Sequence, residues 1–309
     1  MNLESEFRDG FLVSAEMKKV WAVQIDLLKK LLQVCEKHNL KVFADGGTLL
    51  GTIRHKGYIP WDDDIDMVML RPDYDKLVSV ATKEFDHPYF FQCGYTEKVY
   101  PRGHAQLRMD GTTAILPLPA FVNTHQGVFI DVFPYDAVPD DEKEMNRQIE
   151  ERNKLLDKMI RSSVFDWFHP FRSMKLLKYK SKFGDLYKEY EDLFRKYKVE
   201  ECNNVSCFSF QVDPDRFLRD KHWYDDTIFM PFEDVMMPVP IGYHDILTKQ
   251  YGDYMTPVRA PSYHGGFWKL DADNGYEKYL LELKSYLQEV KQQRTKLRIK
   301  LIFNKIIGN

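Results

Sequence analysis

The stretch Ile59–Leu70, IPWDDDIDMVML, packs four aspartates into the five positions 62–66 and runs straight into an apolar segment. Carboxylates this close repel and raise one another's pKa, so the cluster costs stability unless positive charge sits among them. Solvent, a basic patch and a metal ion are the three ways to supply it. Read as a strand over Asp62–Leu70, the segment turns Asp64 and Asp66 to one face and Ile65 and Met67 to the other. One face then offers two carboxylates while the opposite face enters a core. Asp62 shares the acidic face at the strand's beginning, where it can turn to solvent. Asp63 faces away and is expected to be solvated.

Two carboxylates on one strand, with oxygen donors only, suit a hard cation such as Mg²⁺ or Mn²⁺. Mg²⁺ usually shares such carboxylates with phosphate oxygens. A third carboxylate is wanted from a neighbouring strand, and Asp131 in GVFIDVFPYD (127–136) supplies it from an apolar run where an acid needs a partner. Upstream, DGGTLLG (45–51) places Gly46 and Gly47 at a strand-to-helix turn. Glycines there let backbone N–H groups approach an anion, and a helix start favours negative charge. Thr48 is read as the cap of a short helix ended by Gly57, with Arg54 and His55 adding cationic character. The bland alternatives are a solvated acidic turn and, for Asp131, an N-cap or a buried salt bridge. A calcium loop of the helix-loop-helix type fits poorly, because DDDIDM lacks the glycine required at its sixth position. The residues alone leave the metal reading and the bland one open.

The rest of the 309-residue chain sets the frame: 44% hydrophobic, 29% charged, formal net charge −3. That balance is of a folded soluble protein and argues against nucleic-acid binding, which shows as a strong basic excess. The N-terminal residues have no signal-peptide pattern, and no apolar run is long enough to span a bilayer. Cys35, Cys93, Cys202 and Cys207 are expected as reduced thiols of a cytoplasmic protein. Apolar residues at three- and four-residue steps predict a helix over Met17–His38, stopped by Asn39. Strands are expected in YFFQCGY (89–95), HAQLRMD (104–110) and GVFIDVFPYD, and helices between 140 and 198 with a break at Pro170. The organisation expected is an α+β core over 1–140, a helical insertion at 141–202, a segment at 203–275 completing the core, and a basic amphipathic helix at 276–309. That last helix is open to two readings: one lies on the inner face of a membrane, the other packs on the core with a solvated basic face.

FADGGTLLGTIRHKGYIPWDDDID (43–66) closely resembles the signature of the LicD family, which includes fukutin and fukutin-related protein. GVFIDVFPYDAVP resembles the family's second acidic motif, and YGDYMTPV (251–258) a weaker C-terminal one. The resemblance is strongest over Leu32–Pro139. It implies a nucleotidyltransferase-like mixed sheet, related to polymerase-β-like enzymes. It also implies transfer of a phospho-substituent, such as phosphocholine or ribitol phosphate, from a CDP-activated donor to a sugar hydroxyl, with CMP released. Carried over by motif, Asp64, Asp66 and Asp131 would be the metal ligands, with two Mg²⁺ or Mn²⁺ ions and Asp131 accepting the hydroxyl proton. Gly46, Gly47 and Thr48 form the expected phosphate cradle; Arg54 first, or Arg108, would neutralise phosphate oxygens, with a surface residue or half of a structural ion pair as the alternative for either, and His55 is open between a phosphate contact and the helix C-cap. Gly47 often appears as a bulkier residue in this family, so a looser phosphate turn is expected here. The acceptor would be a glycan or a lipid-linked saccharide. Two rival readings are an NMP-transferring enzyme that releases pyrophosphate and a non-catalytic nucleotide-binding module.

Overall fold

The computed structural model describes residues 1–116, 124–163, 174, 182–208, 217–258 and 267–307. Strands β1 (Glu6–Arg8) and β2 (Phe11–Val13) form a hairpin ahead of α1 (Ala15–His38). Ser14 caps α1 by accepting the Met17 N–H at 3.2 Å, and Asn39 ends it in the left-handed region at φ 51°. There follow β3 (Phe43–Ala44), α2 (Gly46–His55), β4 (Asp66–Leu70), α3 (Arg71–Glu84), β5 (Tyr89–Gln92), β6 (Ala105–Met109), β7 (Thr113–Ile115) and β8 (Phe129–Val138). The second half carries α4 (Glu142–Ser163), α5 (Phe183–Phe194), β9 (Asn204–Ser206), β10 (Arg219–Asp220), the hairpin β11 (Thr227–Phe232) and β12 (Val235–Pro240), α6 (Tyr243–Tyr251), β13 (Lys269–Asp271) and α7 (Leu280–Ile307). The architecture is α+β.

Seven strands form the main sheet. Strand β8 is its spine: it runs parallel to β4 and antiparallel to β6 through residues 129–132 and to β9 through 136–138. Strand β3 adds to β4, β5 to β6 and β10 to β9, all antiparallel. The main core gathers Trp21, Leu28 and Leu31 of α1, Leu49 of α2, Met67 of β4 and Val132 of β8 with Val239 of β12 and Leu247 of α6. Trp21 stacks flat on Tyr58 with centroids 4.3 Å apart. A second cluster joins Met159 of α4 and Phe183, Tyr187 and Phe194 of α5 to Val138 at the end of β8. Beneath it, buried Arg71 bonds Asp136 at 2.5 Å and Glu191 at 2.9 Å. All four cysteines are buried and free.

Two local expectations change. The acidic strand begins at Asp66 rather than Asp62, because the backbone of the preceding residues is bonded elsewhere. Asp62 N–H donates to the Ile59 carbonyl, while the Asp62 and Asp63 carbonyls accept from Trp21 Nε1 (3.1 Å) and Gln24 Nε2 (2.8 Å) of α1. Helix α2 starts two residues before Thr48, with Asp45 at its N-cap position, and ends at Lys56 (φ 56°) rather than Gly57. No helix among the described residues is long and apolar enough to cross a membrane. The Pro170 break and the side chains of Arg294 and residues 297–307, on which the tail expectation rests, lie outside the described residues.

Candidate metal-binding site

Strands β4 and β8 are in register so that Asp66 and Asp131 are direct partners. On the other edge of β8, Gln106 of β6 stands opposite Asp131. Side chains of directly opposed residues share a face, so three adjacent strands set Asp66, Asp131 and Gln106 in one row. The lead-in to β4 brings Asp64 alongside, and carboxylate oxygens of Asp64, Asp66 and Asp131 all lie within 4.8 Å of one another. Asp62, Asp63 and Asp64 form a second such group sharing Asp64, so Asp63 joins the cluster instead of turning away.

The glycines of α2 explain how the acids come so close to a helix start. A Cβ on Gly47 would lie 2.5 Å from Asp62 Oδ2, and one on Gly46 (φ 53°) 3.0 Å from Asp66 Oδ2. Asp62 therefore folds over Gly47 instead of facing solvent, and the space expected to be loose at Gly47 is filled by its carboxylate. Thr48 is buried, and its hydroxyl accepts the Asp66 N–H at 2.8 Å. It orients the backbone of an acid rather than capping the helix. Burial first, then the charges of Asp131, Asp62 and Asp45, hold the Asp66 carboxyl well above the usual range. Burial and then Asp64 and Asp63 do the same to Asp62. A positive ion is the element that would relieve both.

Asp131 is 2% exposed. Its Oδ1 accepts from Gln106 Nε2 at 2.7 Å and faces His104 Nε2 at 3.1 Å. Gln106 Oε1 in turn accepts from Arg108 at 2.5 Å. A guanidinium only donates and a carboxylate only accepts, so the amide between them has a single workable orientation. The other bonds of Arg108 go to the Gly127 carbonyl (2.6 Å) and Gln92 Oε1, and burial brings its pKa down to about 10. Arg108, expected either as a phosphate contact or as half of a structural pair, lies buried behind the row and reaches Asp131 through Gln106.

Arg54 and His55 sit at the far end of α2, about 10–12 Å along the axis from Gly47 at the helical rise. Arg54 donates to the Tyr254 carbonyl and to His55 Nε2, both at 2.9 Å, and His55 Nδ1 pairs with Asp9 at 2.9 Å. Burial, then the Arg54 charge, lowers the His55 pKa. The structure thus brings the two together with the C-terminal motif residue Tyr254, apart from the acids.

The sequence reading passed over Asp45, His104, Gln106, Tyr135 and Arg219. The first four carry a usable signal: His104, Gln106 and Arg108 alternate along HAQLRMD, and Tyr135 shares the β8 parity of Asp131, while Asp45 directly precedes the glycine pair. Arg219 carries none, lying remote in sequence from the other site residues. Asp45 makes no side-chain cap to α2; its carboxylate accepts from Tyr135 OH at 2.6 Å and Arg219 at 2.8 Å.

Residues 39–183 match the family described as LicD/FKTN/FKRP, nucleotidyltransferase domain, a span that contains α2 and all three carboxylates of the row. The chain is 27% identical over 239 residues to the lipopolysaccharide cholinephosphotransferase LicD of Haemophilus influenzae, covering 75% of this chain and 89% of that protein. Shorter matches reach uncharacterised proteins of Rickettsia prowazekii (39% over 70 residues, 23% of this chain and 24% of that one) and Rickettsia typhi (31% over 102 residues, 31% of each).

Proposed function

Because the chain carries a LicD-family domain over residues 39–183, we propose that it is a cation-dependent phosphotransferase acting on a cell-surface glycan or glycolipid precursor. In this reading it moves phosphocholine, or a polyol phosphate, from a CDP-activated donor to a sugar hydroxyl. The bond from the hydroxyl oxygen to phosphorus forms, the bond from phosphorus to the CMP oxygen breaks, and CMP leaves. The printed activity of the Haemophilus protein supports phosphocholine as the group to test first.

The observation that carries the proposal is the register of Asp66 with Asp131, with Asp64 within 4.8 Å of both. The residues fit a divalent ion: three hard oxygen donors converge, and burial together with the charges of its acidic neighbours holds the Asp66 carboxyl well above its usual range, which a cation would offset. Bound there, Mg²⁺ or Mn²⁺ would offset charge on the donor diphosphate. The chain's own contributions are three. Gln106 and His104 hold Asp131 in one orientation, the Thr48 hydroxyl holds the backbone of Asp66, and the start of α2 presents N–H groups to an anion. Asp131 is the group proposed to take the hydroxyl proton, while Asp64 and Asp66 are less deeply buried than Asp131.

Melting the protein with Mg²⁺ and a panel of CDP-choline, CDP-ribitol and ATP tests the donor, since a ligand of the folded state stabilises by mass action. CDP-alcohols are expected to raise Tm more than ATP, with CMP as product on a saccharide acceptor. The family description as a nucleotidyltransferase domain keeps one rival in view. Stabilisation by ATP with pyrophosphate released would establish that rival and overturn the proposal.

A further inference from the structure

Arg219 is 1% exposed and lies outside the 39–183 span of the family match. It reaches the site from β10 and makes four kinds of contact there. One Nη bonds Asp45 at 2.8 Å and Tyr224 OH at 3.1 Å, the other bonds Gln250 Oε1 at 2.8 Å, and the guanidinium lies 5.4 Å from the Tyr135 ring centroid. Asp45 is the residue on which α2 begins, and its N–H donates to the carbonyl of Asp66 at 3.1 Å. Tyr135, which also bonds Asp45, stands on β8 with the parity of Asp131. One buried cation thus ties the start of α2, the backbone of one acid and the strand of another.

We infer that Arg219 is a positioning residue for the acid row, fixing Asp45 and, through it, the placement of Asp66 relative to Asp131. The inference rests on the reading of Asp64, Asp66 and Asp131 as a cation site. A planar fork suits the task, since it serves Asp45 and Gln250 at once in directions a lysine ammonium does not reproduce. Positioning and simple charge predict opposite signs. Deleting a positive charge near a cation site should tighten cation binding by Coulomb's law alone. Loss of a positioning contact behind the ligands should weaken it, by about 10- to 100-fold.

The experiment is direct Mn²⁺ binding, followed by the loss of the free-ion EPR signal, on the full chain and on R219M, R219K, D45N and R219M/D45N. The expected result is weakened binding in R219M and D45N, a double variant no weaker than the worse single one, and R219K in between. Should R219M fail to fold, R219K and D45N carry the comparison. Tighter Mn²⁺ binding in R219M, with the double variant back near wild type, would leave only a charge effect and overturn the inference. So would wild-type affinity in R219M, or in R219K and D45N where R219M does not fold, accompanied by nothing but a lower Tm. If the unaltered chain binds no Mn²⁺, the cation-site reading and this inference fall together; if it binds and the variants match it, only the inference falls.

Discussion

Replacing Asp66 by Asn should stabilise the metal-free protein and abolish its response to Mg²⁺. The acid oxygens lie within 4.8 Å of one another. At that distance a pair of unit charges repels by about 3.5 kcal/mol at an effective dielectric of about 20, and by about 1 kcal/mol in water. Asp66 has two such neighbours, Asp64 and Asp131, so at that dielectric full ionisation would cost at least about 7 kcal/mol. Burial and the neighbouring acids hold the Asp66 carboxyl well above its usual range, which favours the protonated form and lowers this cost. A net gain of about 1–2 kcal/mol, or a rise of a few degrees in Tm, is expected for D66N in EDTA at neutral pH. The pH dependence follows in sign. A carboxyl whose folded pKa is raised holds its proton more tightly in the folded state, so this contribution is fully present below the ordinary Asp pKa and is lost as pH rises through the folded value. The wild-type protein in EDTA should therefore lose stability over that rise, and D66N should lose less. Mg²⁺ at about 100 times its Kd would add about 2.7 kcal/mol to wild type and almost nothing to the variant, reversing their order. The assay is a set of melts in EDTA and in Mg²⁺ across pH. A D66N protein that melts several degrees lower in EDTA, or gains as much from Mg²⁺ as wild type, would refute the reasoning.

Three further outcomes can be checked with the same protein. Gly47→Ala should push the Asp62 carboxylate off α2 and reduce turnover in the phosphotransfer proposed above, with a loss of stability below about 1 kcal/mol; unchanged turnover would show that Asp62 has room to yield. Gln106→Leu strips a donor from Asp131 and an acceptor from Arg108, so it should cost about 1–3 kcal/mol and weaken Mg²⁺ binding about tenfold, measured by urea unfolding and calorimetry. Full Mg²⁺ affinity in that variant would remove Gln106 from the site. Arg71→Met leaves Asp136 buried beside Glu191 without its partner and should cost about 3–5 kcal/mol in urea unfolding; a cost under about 1 kcal/mol would mean the pair matters little.

The parts of this fold legible beforehand were those whose partners lie within one element. Helix α1 announced itself by its periodicity and by Asn39, while β8, whose partners lie on other strands, showed only as an apolar run carrying the acids Asp131 and Asp136. The acidic lead-in was misjudged because its hydrogen bonds go to Trp21 and Gln24, side chains some forty residues upstream in α1 that no local pattern connects to it. Thr48 and Asp62 were misassigned for a related reason. Each was judged against its own turn, while the structure uses Thr48 to hold Asp66 and uses Gly47 to make room for Asp62. Arg54 and His55 were grouped with the acids by nearness in sequence, whereas a ten-residue helix carries them to its other end. Arg219 lay beyond reach altogether, since a lone arginine is marked only by what surrounds it once folded.

Strand β8 also sets a rule of counting for this protein. Its odd residues Asp131 and Tyr135 face the acid row and the start of α2, while even-numbered Asp136 and Val138 face Arg71 and the packing of α4 and α5. The two polar assemblies share no side chain, yet both take their phase from the same ten residues. Deleting or inserting a single residue between Asp131 and Asp136 would turn one of the two acids to the wrong side of the sheet. This five-residue interval cannot change in length by one residue. Its length, more than the identity of most residues within it, is what a redesigned or divergent version of the chain has to keep.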